Sequence, residues 1–222
     1  MLKRAGFYVD GFNLYHALDA LDEPFLKWLS LKRLGNIIIP SRTEELVRVV
    51  YCSAYFPSQG DNQQKRWRHE QYVNALTAEG VECVMGHFVH EDWSCRDCGH
   101  AWRKPTEKES DINLALHLFE DARRNVFDHA YLLTSDSDHA ATARMLRAAF
   151  PEKRLTTVAP PGRKFSEHIR QLSAGSVSLN KTHLERALLP PRIISHDGRH
   201  AKRPDQYAPP QWWVDPQQRP KD

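Results

Sequence analysis

Cysteine is scarce in this chain: four in 222 residues (Cys52, Cys83, Cys95 and Cys98) are too few for a disulfide-packed scaffold. Glycine is scarce too, at ten residues, which excludes a collagen-like repeat, and the composition is not that of a coiled coil. No stretch approaches the ~20 consecutive apolar residues of a membrane-spanning helix. Asp10 also interrupts the first apolar run before it can form the core of a secretion signal. A cytoplasmic protein with no membrane partner is therefore expected, its thiols free or metal-bound. An excess of one charge is missing as well. The 31 Lys and Arg against 28 Asp and Glu leave +3 with histidine neutral, so polyanion binding must come from local patches. Glycine-rich phosphate loops of the forms GxGxxG and GxxxxGK[ST] are absent. Phe12 stands where a phosphatase with an aspartyl nucleophile needs a second Asp after Asp10.

What is present is an ordinary core-forming composition, 41% apolar and 27% charged. A chain of this length buries roughly 70% of its unfolded surface, so metals are not needed for folding. Phe7-Tyr8-Val9 and residues 46–56, 81–89, 130–133 and 155–158 read as strands, rich in Val, Tyr, Leu and Phe. Residues 63–79 read as a helix started by Gly60-Asp61 and stopped by Gly80. Ser110 is expected to cap a second helix with an apolar stripe of Ile112, Ala115, Leu116, Phe119 and Ala122. Residues 140–150 and 165–172 complete the set. Strand–helix alternation with brief connections specifies a mostly parallel sheet covered on both faces. Residues 1–189 form this domain. Residues 190–222 hold seven of the fourteen prolines without apolar periodicity and read as an extended tail, whose Trp212-Trp213 would dock on this molecule, on another copy or on a protein partner.

The acids at strand ends carry the chemistry. Asp10 closes the first strand, and Gly11 lets the chain turn into a helix bearing Asn13. Asp136 and Asp138 follow residues 131–135 in the same way, and Asp111 lies in the first turn of its helix, where negative charge is favoured. In a parallel sheet such groups collect beyond the carboxyl ends of the strands. Each alone is as well explained as a helix cap. Four on one rim repel unless a proton or cation neutralises them, and a hard divalent ion such as Mg²⁺ with phosphate oxygens is a natural solution. Phosphodiester hydrolysis follows from that chemistry.

Residues 7–14 (FYVDGFNL), 107–115 (EKESDINLA) and 132–138 (LLTSDSD), with Pro160-Pro161-Gly162-Arg163, resemble the NYN domain family, a branch of the PIN-like nucleases, in its bacterial LabA-like form. The likeness runs from about residue 4 to 189. It implies a three-layer α/β/α sandwich, an acidic Mg²⁺ or Mn²⁺ site and cleavage of RNA. Carried over, Asp10, Asp111, Asp136 and Asp138 are the metal-binding, catalytic acids and Asn13 orients a ligand or water. Two other readings stay open: a non-catalytic RNA-binding adaptor, and a nuclease for DNA.

Between these blocks, at about residues 90–106, lies an insert. Cys95-Arg96-Asp97-Cys98-Gly99 is half of a zinc knuckle, for which His87, His90 or His100 are the nearby candidates to complete four ligands at about one zinc per chain; a site shared between molecules, unligated thiols and a redox pair stay open. His87 and His90 on one strand would face opposite sides. Cys52 and Cys83 read as buried strand residues. Trp93 and Trp102 interleaved with Arg96, Arg103 and Lys104 have the makeup of a surface for unpaired bases, as does Lys65-Arg66-Trp67-Arg68-His69, unless Trp67 packs inward. Arg163 and Lys164, after Gly162 at a strand end, are placed to meet phosphate. The other histidines read as surface residues.

Overall fold

The computed structural model describes residues 2–57, 62–194, 198, 200–216, 218 and 219. In chain order the elements are β1 (Lys3–Asp10), α1 (Gly11–Asp19), α2 (Leu31–Ile38), β2 (Glu44–Ala54), α3 (Asn62–Ala78), β3 (Glu82–Ser94), β4 (Ala101–Lys108), α4 (Ser110–Arg123), β5 (His129–Leu133), α5 (Ala140–Ala149), β6 (Arg154–Ala159), α6 (Glu167–Arg170), β7 (Gly175–Ser178), α7 (Lys181–Glu185), β8 (Arg192–Ile194) and β9 (His200–Lys202). They build the α/β/α sandwich that strand–helix alternation specifies. The main sheet runs β4-β3-β2-β1-β5-β6-β7, parallel throughout except for β3 against β4.

β1 is the middle strand, and it is apolar on both sides because helices cover both faces. Phe7 and Val9 enter one core with Leu14, Trp28 and Leu34, whereas Tyr8 enters the other with Leu114, Leu118 and Phe127. The chain builds β2 and β3 on one side of β1 and then returns to place β5 on the other. The carboxyl ends of β1 and β5 therefore flank a topological switch point, where an α/β sheet opens a crevice.

Several expectations are corrected. Ser110 does not cap α4. The cap position is Glu109, in the left-handed region at φ 81°, and the Ser110 amide donates to Glu107 Oε1 at 2.9 Å. The buried face of α4 is Leu114, Leu118 and Ala122, leaving Ile112 and Leu116 63% and 60% exposed. This helix is apolar on two faces, and the i, i+4 series meets the sheet. Its buried Asp121 accepts hydrogen bonds from Tyr8 Oη and Arg48 Nε, both at 2.9 Å. Trp67 lies outward on α3, 46% exposed. The start signal Gly60-Asp61 lies outside the described residues. The helix expected over 165–172 is limited to α6.

The segment 190–222 is not simply extended. β8 and β9 form an antiparallel pair that packs on α3, with Ala201 buried. The Trp213 ring lies 5.7 Å from that of Phe25, and its Nε1 donates to Glu185 Oε1 at 3.3 Å. Prolines deny this segment a long helix, but isolated apolar anchors still gain from burial. Trp212 stays exposed.

Candidate metal centre at the sheet switch point

Asp10 ends β1 as the cap of α1. Its Oδ1 accepts the Asn13 amide at 2.9 Å, and its Oδ2 accepts Thr134 Oγ1 at 2.8 Å. Gly11 makes this turn possible: a Cβ there would stand 2.6 Å from the Cys52 carbonyl oxygen. The Asp10 side chain is buried, and burial pushes its pKa up against the two hydrogen bonds; the neighbouring Asp111 adds to the rise.

Asp111, in the first turn of α4, approaches from the other side of the crevice. Between the two acids stands His139, 2% exposed, its Nε2 lying 3.4 Å from Asp111 Oδ1 and 4.0 Å from Asp10 Oδ2. These separations are long for hydrogen bonds, and Nε2 is a buried polar atom without one, so the contact is electrostatic. Burial alone would lower the His139 pKa, but Asp111, Asp10 and Asp136 outweigh it and the net direction is upward. His139 in turn holds Asp111 below the usual carboxylate range. One donor atom from each of Asp10, Asp111 and His139 lies within 4.8 Å of the others, so the three can hold a metal ion.

Thr134 and Asn13 brace this corner. Thr134 Oγ1 accepts the Asp136 amide at 3.0 Å while donating to Asp10, and Asn13 Oδ1 accepts the Ser135 amide at 3.0 Å. Asp136 caps the short turn Ser137–His139 by accepting the Asp138 amide, which is how a loop residue delivers His139 to the acids. Asp10, Asn13, Asp111, Asp136 and Arg163 line one cleft of about 470 Å³, together with Glu107 and His16. Asp138 does not join them: it is exposed and lines a separate depression with Arg144 and His168. The side chains at 136 and 138 part because a tight turn separates them. Lys164 is exposed beside Arg163 and does not line the cleft.

The insert is an antiparallel ribbon. Trp93 and Trp102 face each other across β3 and β4, 46% and 41% exposed, with Lys104 Nζ 5.1 Å from the Trp93 ring centre. None of the three lines the cleft. The histidine partners proposed for the cysteines are also displaced. His87 pairs with Lys108 at the base of the ribbon, its Nδ1 3.3 Å from Glu109 Oε2, and His90 pairs with Pro105. An extended strand separates them by roughly 27 Å and 17 Å from Cys95. The His100 ring stacks on Trp102. Among the described residues, no group of three metal donors includes Cys95 or Cys98.

Two contributors escaped the sequence reading. His139 reads in the sequence as a surface histidine, and only its place after the Ser135–Asp138 acid block, ahead of α5, sets it apart. Glu107, which holds the start of α4 through Ser110, stands four residues before Asp111.

A match to the NYN domain family spans residues 4–174. Among curated proteins, 6-hydroxy-3-succinoylpyridine 3-monooxygenase HspA of Pseudomonas putida is 28% identical over 177 residues, covering 65% of this chain. The chain spans little more than half, 56%, of that relative's length. A crystal structure of a Vibrio parahaemolyticus protein of unknown function is similar with a TM-score of 0.54 and 16% identity, over 85% of this chain and 97% of that one, a likeness of fold alone. Taken with the sandwich and the acidic corner at its switch point, the family match over most of the sequence means that this chain belongs to the NYN domain family, a PIN-like nuclease fold.

Proposed function

We propose that this protein is a nuclease that hydrolyses RNA phosphodiester bonds with a divalent ion held by Asp10, Asp111 and His139, with Asp136 beside them. The observation that carries the reading is the convergence of the three donors at the carboxyl ends of β1 and β5. The donors fit an ion: the buried His139 Nε2 makes no hydrogen bond and faces both carboxylates, so an ion among the three would give it a partner. Two carboxylates and one imidazole suit Mn²⁺ at least as well as Mg²⁺. A bound ion supplies Lewis acidity and an activated water. The chain's own groups prepare the rest. Thr134 and the Asn13 amide hold Asp10 in one rotamer, and Asn13 ties the loop carrying Asp136 to α1. Arg163 brings a guanidinium to the cleft to offset phosphate charge, and Lys164 strengthens that field. Trp93, Trp102 and Lys104 on the ribbon present aromatic and cationic surface to unpaired bases. Asp138 has no part in this reading.

Purified protein incubated with single-stranded RNA should cleave it with Mn²⁺ or Mg²⁺, should stop in EDTA, and should lose at least about 100-fold in rate on Asp10→Asn. RNA binding without cleavage across several ions would make the protein an adaptor, and preference for DNA of the same sequence would change the polymer. Cleavage persisting in Asp10→Asn would refute the site.

A second reading, oxygenation of a small aromatic acid, takes its support from the name of the Pseudomonas putida relative and from one pocket. Behind Phe12, which also lines the acidic cleft, aromatic walls of Tyr15, Tyr51, Tyr72 and Tyr207 meet Lys65 and Arg68. Oxygen consumption with 6-hydroxy-3-succinoylpyridine and a reductant, with RNA left intact, would favour it over the nuclease.

A further inference from the structure

The four cysteines fall into two pairs of opposite character. Cys52 is buried in β2 and Cys83 half-buried in β3; burial pushes their thiols up to about 12 and about 11. Both lie in the sheet, away from the ribbon tip. Cys95 and Cys98 occupy the turn that closes the ribbon. Gly99, at φ 70°, donates its amide to the Cys95 carbonyl at 3.0 Å, and the Cys95 amide donates to the His100 carbonyl at 2.8 Å. The backbone amides of Cys98 and Asp97 also serve the Cys95 sulfur, which favours its thiolate. This is the sulfur-directed turn from which tetrahedral zinc sites are assembled, two ligands at a time.

Among the described residues, none completes the site. His87 and His90 lie too far down the strand, His100 is stacked on Trp102, and Asp92 is paired with Arg103 at 3.1 Å. The ribbon is also incomplete as a structure. β3 pairs with β2 only as far as Gly86, so from His87 onward β3 and β4 pair only with each other. The knuckle is thus carried roughly 30 Å beyond the last sheet pairing. A two-stranded ribbon with exposed tryptophans is marginal in water unless something holds it.

We propose that Cys95 and Cys98 form one half of a tetrahedral zinc site whose other half is the same pair from a second copy of the chain. Zinc requires four donors, and a two-fold axis through the ion supplies two thiolates from each copy. A projecting tip is the part of the molecule that can meet its own copy without the two sandwiches colliding. Arg96 and Asp97, between the ligands in each copy, cancel in charge, so the tips of two copies meet without a like-charge pair fixed by this turn. The inference stands apart from the nuclease reading, since the ribbon tip and the acidic cleft share no residue.

Zinc content and molar mass of the freshly reduced full chain test it together. The expected result is one half zinc per chain and twice the 25.7 kDa of one chain, with EDTA returning the monomer. Cys95→Ser and Cys98→Ser should each take zinc to zero and yield monomers. Their thermal unfolding should stay close to wild type, because the tip contributes nothing to the core. Zinc at one per chain in a monomer, a dimer that survives zinc-free Cys95→Ser, or zinc-free protein with a Cys95–Cys98 disulfide or free thiols would each overturn the proposal.

Discussion

His139 Nε2 stands 3.4 Å from Asp111 Oδ1, a buried imidazole set against a half-open carboxylate on a different helix. The acids thus have a partner within the chain: an imidazolium can neutralise them when no metal is present. Proton and metal compete for one nitrogen.

That competition fixes a pH dependence. The His139 pKa is raised in the folded protein, so in EDTA its contribution to stability is complete below the unfolded value of about 6.5 and is lost as pH rises through the folded value. Ligation needs the neutral ring, so Mn²⁺ affinity should rise over the same interval by up to about tenfold per pH unit, with release of a proton. Calorimetric titration in buffers of different ionisation enthalpy reads that proton directly. His139→Gln should weaken Mn²⁺ binding and abolish the release.

Asp10 should separate stability from activity. Asn at this position keeps an oxygen for the Asn13 amide and removes a buried charge but cannot accept from Thr134 Oγ1, so Asp10→Asn should stay within about 1 kcal/mol of wild-type stability while losing cleavage. Asp10→Ala loses the cap as well and should cost about 1 kcal/mol. Thermal unfolding of both variants, measured beside RNA cleavage, checks the split.

A second acid matters for the fold alone. Asp128 accepts the Arg4 amide at 2.9 Å, Arg4 Nε at 3.2 Å and Arg4 Nη2 at 2.7 Å, and Arg4 holds it down to about 2. A depressed carboxylate contributes above its unfolded value of about 3.9 and loses that contribution as pH falls towards 2. The pair is over a third exposed, so screening limits it to about 1 kcal/mol. Asp128→Asn should lower stability by that amount at pH 7 and flatten acid unfolding between pH 4 and about 2, followed by circular dichroism.

Much of the central fold was legible because β1, β2, β5 and β6 are apolar runs bounded by clear breaks. β4 was not, since Arg103, Lys104 and Pro105 lack alternation and gain their conformation from pairing with β3. β7 is short and polar at alternate positions, and α2 is an eight-residue helix interrupted by Gly35. At the site, Asp10, Asp111 and Asp136 were readable as acids following apolar strands or opening helices. His139 was not, because its burial depends on a turn set by Asp136 and on packing from α4, which no local pattern encodes.

The C-terminal segment offers a paired comparison. Trp213 meets Phe25 and Glu185, whereas its neighbour Trp212 is 70% exposed. Trp213→Ala should cost about 1–3 kcal/mol in urea unfolding, and Trp212→Ala less than about 0.5. Equal effects would contradict the docking described.

The most direct test is anomalous diffraction from crystals grown with Mn²⁺. A manganese peak in the cleft, within coordination distance of Asp10, Asp111 and His139, is the expected result. A cleft without manganese, with His139 bridging the two carboxylates at saturating Mn²⁺, would contradict the metal centre and with it the nuclease.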